Sequence, residues 1–159
     1  MERVIFINYK RYVVGMVFDH ELKEILFLKR VKEPYKDCIN GVGGKIEQDE
    51  SIDSAMRREL FEETDIVEEH INKLSYMFTI SFPYGVELNV YYIILNDNYS
   101  KKDSIDTREG VLVWKDIIRE SLFDSTKTDV AGEGNIAYFI KYVLNREGIE
   151  MNDVYCTKE

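Results

Sequence analysis

Between Ile52 and Thr64 the chain reads IDSAMRRELFEET. Ile52, Ala55 and Met56 stand at i, i+3 and i+4, the spacing of one inward-facing helical stripe. The stripe continues through Glu59, Leu60 and Glu63, so two glutamates occupy positions that the periodicity assigns to a core. Glu62 lies three residues after Glu59, and the three carboxylates share a sector of roughly 100°. Like charges at these spacings repel. They also gather at the helix C-terminus, where the macrodipole disfavours anions. A sequence that breaks several local rules together marks a functional site. A hard divalent cation with oxygen ligands, Mg2+ or Mn2+, relieves such a convergence. The competing reading is a solvated acidic face, and the inward register speaks against it.

The remaining pattern surrounds this helix with strands. Segments 11–19 and 24–30 are rich in β-branched and aromatic residues and flank the turn-like HELK. A loop punctuated by Pro34 follows, then a glycine-rich turn containing Gly43 and Gly44. Segments 74–82 and 86–95 read as strands joined at PYG, and 110–114 as a further short strand. Segments 115–122 and 135–145 read as helices, with a polar tail after Arg146. Strands and helices mix without strict βαβ alternation, which predicts an α/β fold with a mixed sheet covered by helices. The 159 residues suit a single domain over 1–159.

Several classes are disfavoured. Apolar runs such as Val90 to Leu95 are too short to span a bilayer. The opening MERVIFINYKRYVV scatters charged and polar residues among apolar ones, unlike a signal peptide. Cys38 and Cys156 share no metal-site spacing with each other or with the two histidines, so neither zinc nor a disulfide framework is expected, and a reducing cytoplasm is. A net charge of −9 argues against a duplex nucleic-acid partner. It leaves room for a polyphosphate bridged by divalent cations.

These residues resemble the Nudix hydrolase signature, G-x5-E-x7-R-E-U-x-E-E-x-G-U, where U is a bulky aliphatic residue. Gly44, Glu50, Arg58, Glu59, Leu60, Glu62, Glu63 and Ile66 fall at its positions, and Asp65 stands where the family has Gly. A Gly there takes the left-handed C′ conformation, which Asp tolerates better than most residues. RYVVGMVF, EILFLKR and NGVGGKIE are similar to the strands that lead into the signature in the MutT-like branch, which hydrolyses nucleoside triphosphates, oxidised purine ones included. EGVLVW, from Glu109, is similar to a later segment that supplies another acidic residue.

The resemblance implies an α/β/α sandwich with a mixed sheet and the signature loop-helix-loop. It implies Glu59, Glu62 and Glu63 as metal ligands, with Gly44 offering a carbonyl. Glu50 would pair with Arg58 and orient the ligand helix, where an ordinary surface ion pair is the plainer reading. Gly43 and Gly44 would let the backbone approach the metal. Arg30 and Lys45 would touch phosphate oxygens, or be solvated cations. Glu109 would be a metal ligand or the general base, or else a surface carboxylate. Asn40 would read the base, or serve the turn. Glu133 and Asn135 would line the base pocket. The implied activity is a Mg2+-dependent nucleoside triphosphate pyrophosphohydrolase, with 8-oxo-dGTP the leading substrate and Mn2+ an alternative cation. Hydrolysis of ADP-ribose or capped RNA, or a non-catalytic nucleotide-sensing module, are the alternatives. The expected partner is the nucleotide substrate, in a monomer or homodimer.

Overall fold

The computed structural model describes residues 9–33, 36–127, 129 and 135–149. Among the described residues eight strands build one sheet: β1 (Lys10–Phe18), β2 (Glu24–Arg30), β3 (Ile39–Asn40), β4 (Val42–Lys45), β5 (Ile71–Phe82), β6 (Val86–Leu95), β7 (Ser104–Asp106) and β8 (Gly110–Asp116). Their order is β5-β6-β1-β2-β8-β7, with β3 beside β2 and β4 beside β1. β1 and β6 run parallel and the other pairs antiparallel, so the sheet is mixed as expected. Among the described residues two α-helices, α1 (Ile52–Thr64) and α2 (Asn135–Arg146), and a short 3-10 helix at Glu68–His70 accompany the sheet.

The period of two along β1 sorts its side chains between the faces. Val14, Met16 and Phe18 join Ile136, Ile140, Val143 and Leu144 of α2 in one core. Val13 and Val17 join Ala55, Met56 and Leu60 of α1 in the other. One helix therefore covers each face, giving the α/β/α layering. Among the described residues no helix is long and apolar enough to cross a membrane.

β1 and β2 pair directly only at Val17↔Leu26 and Phe18↔Ile25. Beyond that they part, and the segment from Ile39 to Lys45 fills the opening. It pairs with β2 at Leu28↔Asn40 and with β1 from Gly15↔Val42 to Tyr12↔Lys45. This wedge carries the paired glycines to the flank of α1.

Two expectations need correction. The glycine-rich stretch is a strand, not a turn, and neither Gly43 nor Gly44 has positive φ. The glycines are needed for close approach: a Cβ on Gly43 would stand 2.0 Å from the Val13 carbonyl oxygen. The helix expected over 115–122 is absent. Lys115 and Asp116 instead extend β8 opposite Ile25 and Glu24. The Asp116 carboxylate then accepts from the Ile118 and Arg119 N–H groups at 3.0 and 2.9 Å and turns the chain. Sequence patterning also missed β3 and β7, and β5 begins at Ile71 rather than at 74. Pro34, Glu133 and Cys156 lie outside the described residues.

Candidate active site

α1 is delimited by its caps. The Ser51 hydroxyl accepts from the Ser54 N–H at 3.1 Å. At the other end Asp65 adopts φ 59°, ψ 12°, and its N–H reaches the Phe61 carbonyl. The left-handed geometry inferred for the departure from Gly is therefore present. Ala55, Met56 and Leu60 are fully buried, which turns Glu59 and Glu63 inward towards β4.

Arg58 organises the surface of this helix. Its Nε donates to Glu50 Oε2 at 2.7 Å. Nη2 donates to Glu50 Oε1 at 2.9 Å and to the Lys45 carbonyl at 3.0 Å. Nη1 donates to Glu59 Oε1 at 2.8 Å and Glu62 Oε2 at 3.2 Å. A guanidinium has five N–H groups, and each meets an acceptor here. The two-pronged contact from Arg58, assisted by the Glu47 N–H, holds the Glu50 carboxyl down at about 2. The Glu50–Arg58 pair thus ties the loop before α1 to the helix and to β4.

Glu59 and Glu63 sit in a different environment. The Glu59 side chain is only 12% exposed, and burial pushes its carboxyl up against the opposing pull of Arg58. Burial, then Glu109 and Glu59, push the Glu63 carboxyl up to about 8 against the weaker opposing pull of the Gly43 backbone and Arg30. Its Oε2 is buried without a partner. An orphaned acceptor of this kind costs about 1–3 kcal/mol, and more when charged.

Glu109 reaches the same place from the start of β8. Its backbone carbonyl accepts from the Val31 N–H at 3.0 Å. Its half-exposed carboxylate lies 3.6 Å from Arg30 Nη1 and acts electrostatically on both Glu59 and Glu63. Glu59, Glu63, Glu109 and Arg30 are therefore brought together beside the Gly43–Gly44 backbone. Glu62 adjoins them, but it is 55% exposed and turned to Arg58.

Asn40 is half-buried on β3, and its Oδ1 accepts from the Gly41 N–H at 2.9 Å. Lys45 ends β4, and with Tyr9, Arg11 and residues 46–50 it lines a cleft of 380 Å³. Asn135 is the exposed first residue of α2.

Among the described residues, no three carboxylate, imidazole or thiol groups already converge at metal-holding distance. The reason is visible in Arg58, which holds Glu62 and one oxygen of Glu59. The donor set still suits a hard divalent cation, since several carboxylates surround one buried orphaned oxygen. Sequence reasoning missed this second role of Arg58. The i, i+4 spacing of Arg58 and Glu62 was the available signal.

A family model for the NUDIX domain matches residues 9–120. Several solved structures share the fold. The NUDIX domain of Shewanella oneidensis NrtR, complexed with ADP ribose, aligns with a TM-score of 0.67 at 16% identity, covering 89% of this chain and 90% of that one. A MutT protein from Bacillus halodurans aligns at 0.58 and 24% identity, covering 85% and 82%. A bifunctional NMN adenylyltransferase/ADP ribose pyrophosphatase from Francisella tularensis, complexed with AMP and a Mn ion, aligns at 0.61 and 20% identity, covering 91% of this chain and 43% of that one. At these identities the likeness is one of fold.

Proposed function

The chain belongs to the Nudix hydrolase family, which acts on phosphoric anhydride bonds, and on that premise we propose that it is a divalent-cation-dependent nucleoside triphosphate pyrophosphohydrolase. The reaction is NTP or dNTP plus water giving NMP plus pyrophosphate, with oxidised purines such as 8-oxo-dGTP the preferred substrates and Mg2+ the working cation. The observation that carries the reading is Glu63: a carboxylate buried beside Glu59 and Glu109 with one oxygen unpartnered. Folding bears that cost without any structural return, which is what a site built for a ligand looks like.

Glu59, Glu62 and Glu63, with the Gly44 carbonyl, would hold the cation. When bound, it neutralises charge on the polyphosphate and acidifies the attacking water. The residues around it do the rest. Glu109 is exposed enough to reach solvent and accepts the proton of the attacking water. The water oxygen bonds to phosphorus as the anhydride bond breaks and pyrophosphate leaves. Arg30 and Lys45 bind phosphate oxygens. Asn40 has its carbonyl oxygen engaged by Gly41, so its NH2 group faces the base as a donor. Arg58 and Glu50 keep α1 in register with β4 and act by positioning.

The test is incubation with Mg2+ and a panel of nucleoside triphosphates, 8-oxo-dGTP, ADP-ribose and capped RNA, with products identified. A nucleoside monophosphate plus pyrophosphate is expected. Orthophosphate as the primary product refutes the reaction type. Turnover confined to ADP-ribose or capped RNA moves the substrate class, and tight nucleotide binding without turnover identifies a sensing module.

A further inference from the structure

Among the described residues β5 forms one edge of the sheet and β7 the other. β7 has three residues and β5 has twelve. Among the described residues no strand pairs with the outer edge of β5. An open edge presents a row of unsatisfied N–H and C=O groups, and proteins guard such edges with short strands, prolines, charges or bulges. β5 contains no proline and no acidic residue, and its one charge, Lys73, is tied to Glu147 at 2.7 Å. In a chain of net charge −9, this is a stretch where two copies meet with little repulsion.

Two bulges, between Ile71 and Lys73 and between Tyr76 and Phe78, blunt the first half of the strand. The second half, Phe78 to Phe82, pairs with β6 without interruption. Its side chains alternate. Phe78 and Ile80 pack towards the α2 core, and Phe82 shares their parity. Thr79 and Ser81 lie on the other face, opposite Asn89 and Glu87.

An antiparallel partner of the same sequence, related by a two-fold axis at Ile80, matches this segment throughout. Phe78 falls opposite Phe82 of the second copy, Ile80 opposite Ile80, and Thr79 opposite Ser81. Apolar groups meet apolar groups, hydroxyls meet hydroxyls, and no charge is buried. Tyr138 and Tyr142 are exposed on α2, and Tyr142 stands edge-on to Phe78 of the strand at 6.0 Å. Aromatic side chains of this kind are enriched in interface cores. We infer that the protein is a homodimer in which β5 pairs antiparallel with β5 of a second copy about Ile80, an isologous contact that joins the two sheets into one.

Light scattering on a gel-filtration column, over a micromolar dilution series, reads the mass directly. The parent is expected at twice 18.8 kDa. Ile80→Lys and Ile80→Glu, each checked for folding by circular dichroism, should run as monomers, because each sets two like charges face to face. An equimolar mixture of the two should recover the dimer, since only a residue that faces itself is rescued this way. A monomeric parent, a folded Ile80→Lys protein that stays dimeric, or a mixture that stays monomeric each overturns the inference. Should the charged variants not fold, Ile80→Cys in a Cys38→Ser, Cys156→Ser background decides it. It should cross-link to itself with a short bis-maleimide, and failure to do so overturns the pairing.

Discussion

The Glu59 carboxylate lies directly over the Cα of Gly44: a Cβ at that position would stand 2.4 Å from Oε1 and 2.5 Å from Cδ. Glycine is required there for space, since its φ is not in the left-handed region. Gly44→Ala must push the Glu59 carboxylate aside, and a flexible side chain can move. The fold should therefore survive while divalent-cation affinity falls about tenfold or more and kcat falls by about two decades. Calorimetric titration with Mg2+ or Mn2+ checks this, and parent-like affinity would mean that the position of Glu59 is not functional.

Glu63 sets a pH dependence in the metal-free protein. Its folded-state carboxyl is pushed up to about 8 from an ordinary value of 4.5, so between those values the folded protein binds more protons than the unfolded chain. Stability from this group is complete below about 4.5 and is lost as pH rises towards 8. In EDTA, melting temperature should decline across that window, and Glu63→Gln should flatten the decline and melt at or above the parent at pH 8. Glu62→Gln should show no such gain, because Glu62 already has Arg58 as counter-ion. Saturating Mg2+ should shift the order back towards the parent, since an ion bound by the folded state alone adds stability. Melting curves with and without chelator at several pH values decide it. A Glu63→Gln protein clearly below the parent in EDTA at pH 8 would make this carboxylate a structural group.

Glu109→Gln should lower kcat with a smaller effect on KM, and Glu63→Gln should lower kcat by about two decades. The Glu109 side chain contacts Arg30 only loosely, at 3.6 Å, so its replacement should leave the melting temperature nearly unchanged. Steady-state kinetics on a triphosphate are sufficient. Parent-like turnover would reduce Glu109 to a surface carboxylate.

Asp65→Gly puts the family residue at φ 59°. It relieves the left-handed penalty in the folded state and adds freedom to the unfolded chain, so the net change should lie within about 1 kcal/mol. Activity should be retained. A large loss would show that the Asp65 carboxyl takes part in the site.

Local periodicity sufficed for α1, for its inward glutamates and for the left-handed end at Asp65, because a helix is specified by residues within four positions of one another and by its caps. The alternation in 11–19, 24–30, 74–82 and 86–95 was legible for the same reason, since a strand sorts its side chains by parity alone. Other features depended on residues far apart in the chain. Gly43 and Gly44 read as a turn when taken alone and became a strand because β1 was there to pair with them. Residues 115–122 read as a helix, but β2 drew Lys115 and Asp116 into the sheet. Arg58 reaches the Lys45 carbonyl thirteen positions away, and Glu109 acts electrostatically on Glu63 because β8 lies beside β2 at Arg30. The orphaned oxygen of Glu63 is likewise a property of burial, which no spacing encodes. The sequence determined which carboxylates share a helical face; the packing of β4 and β8 around that face decided which are buried, which are paired, and which is left without a partner.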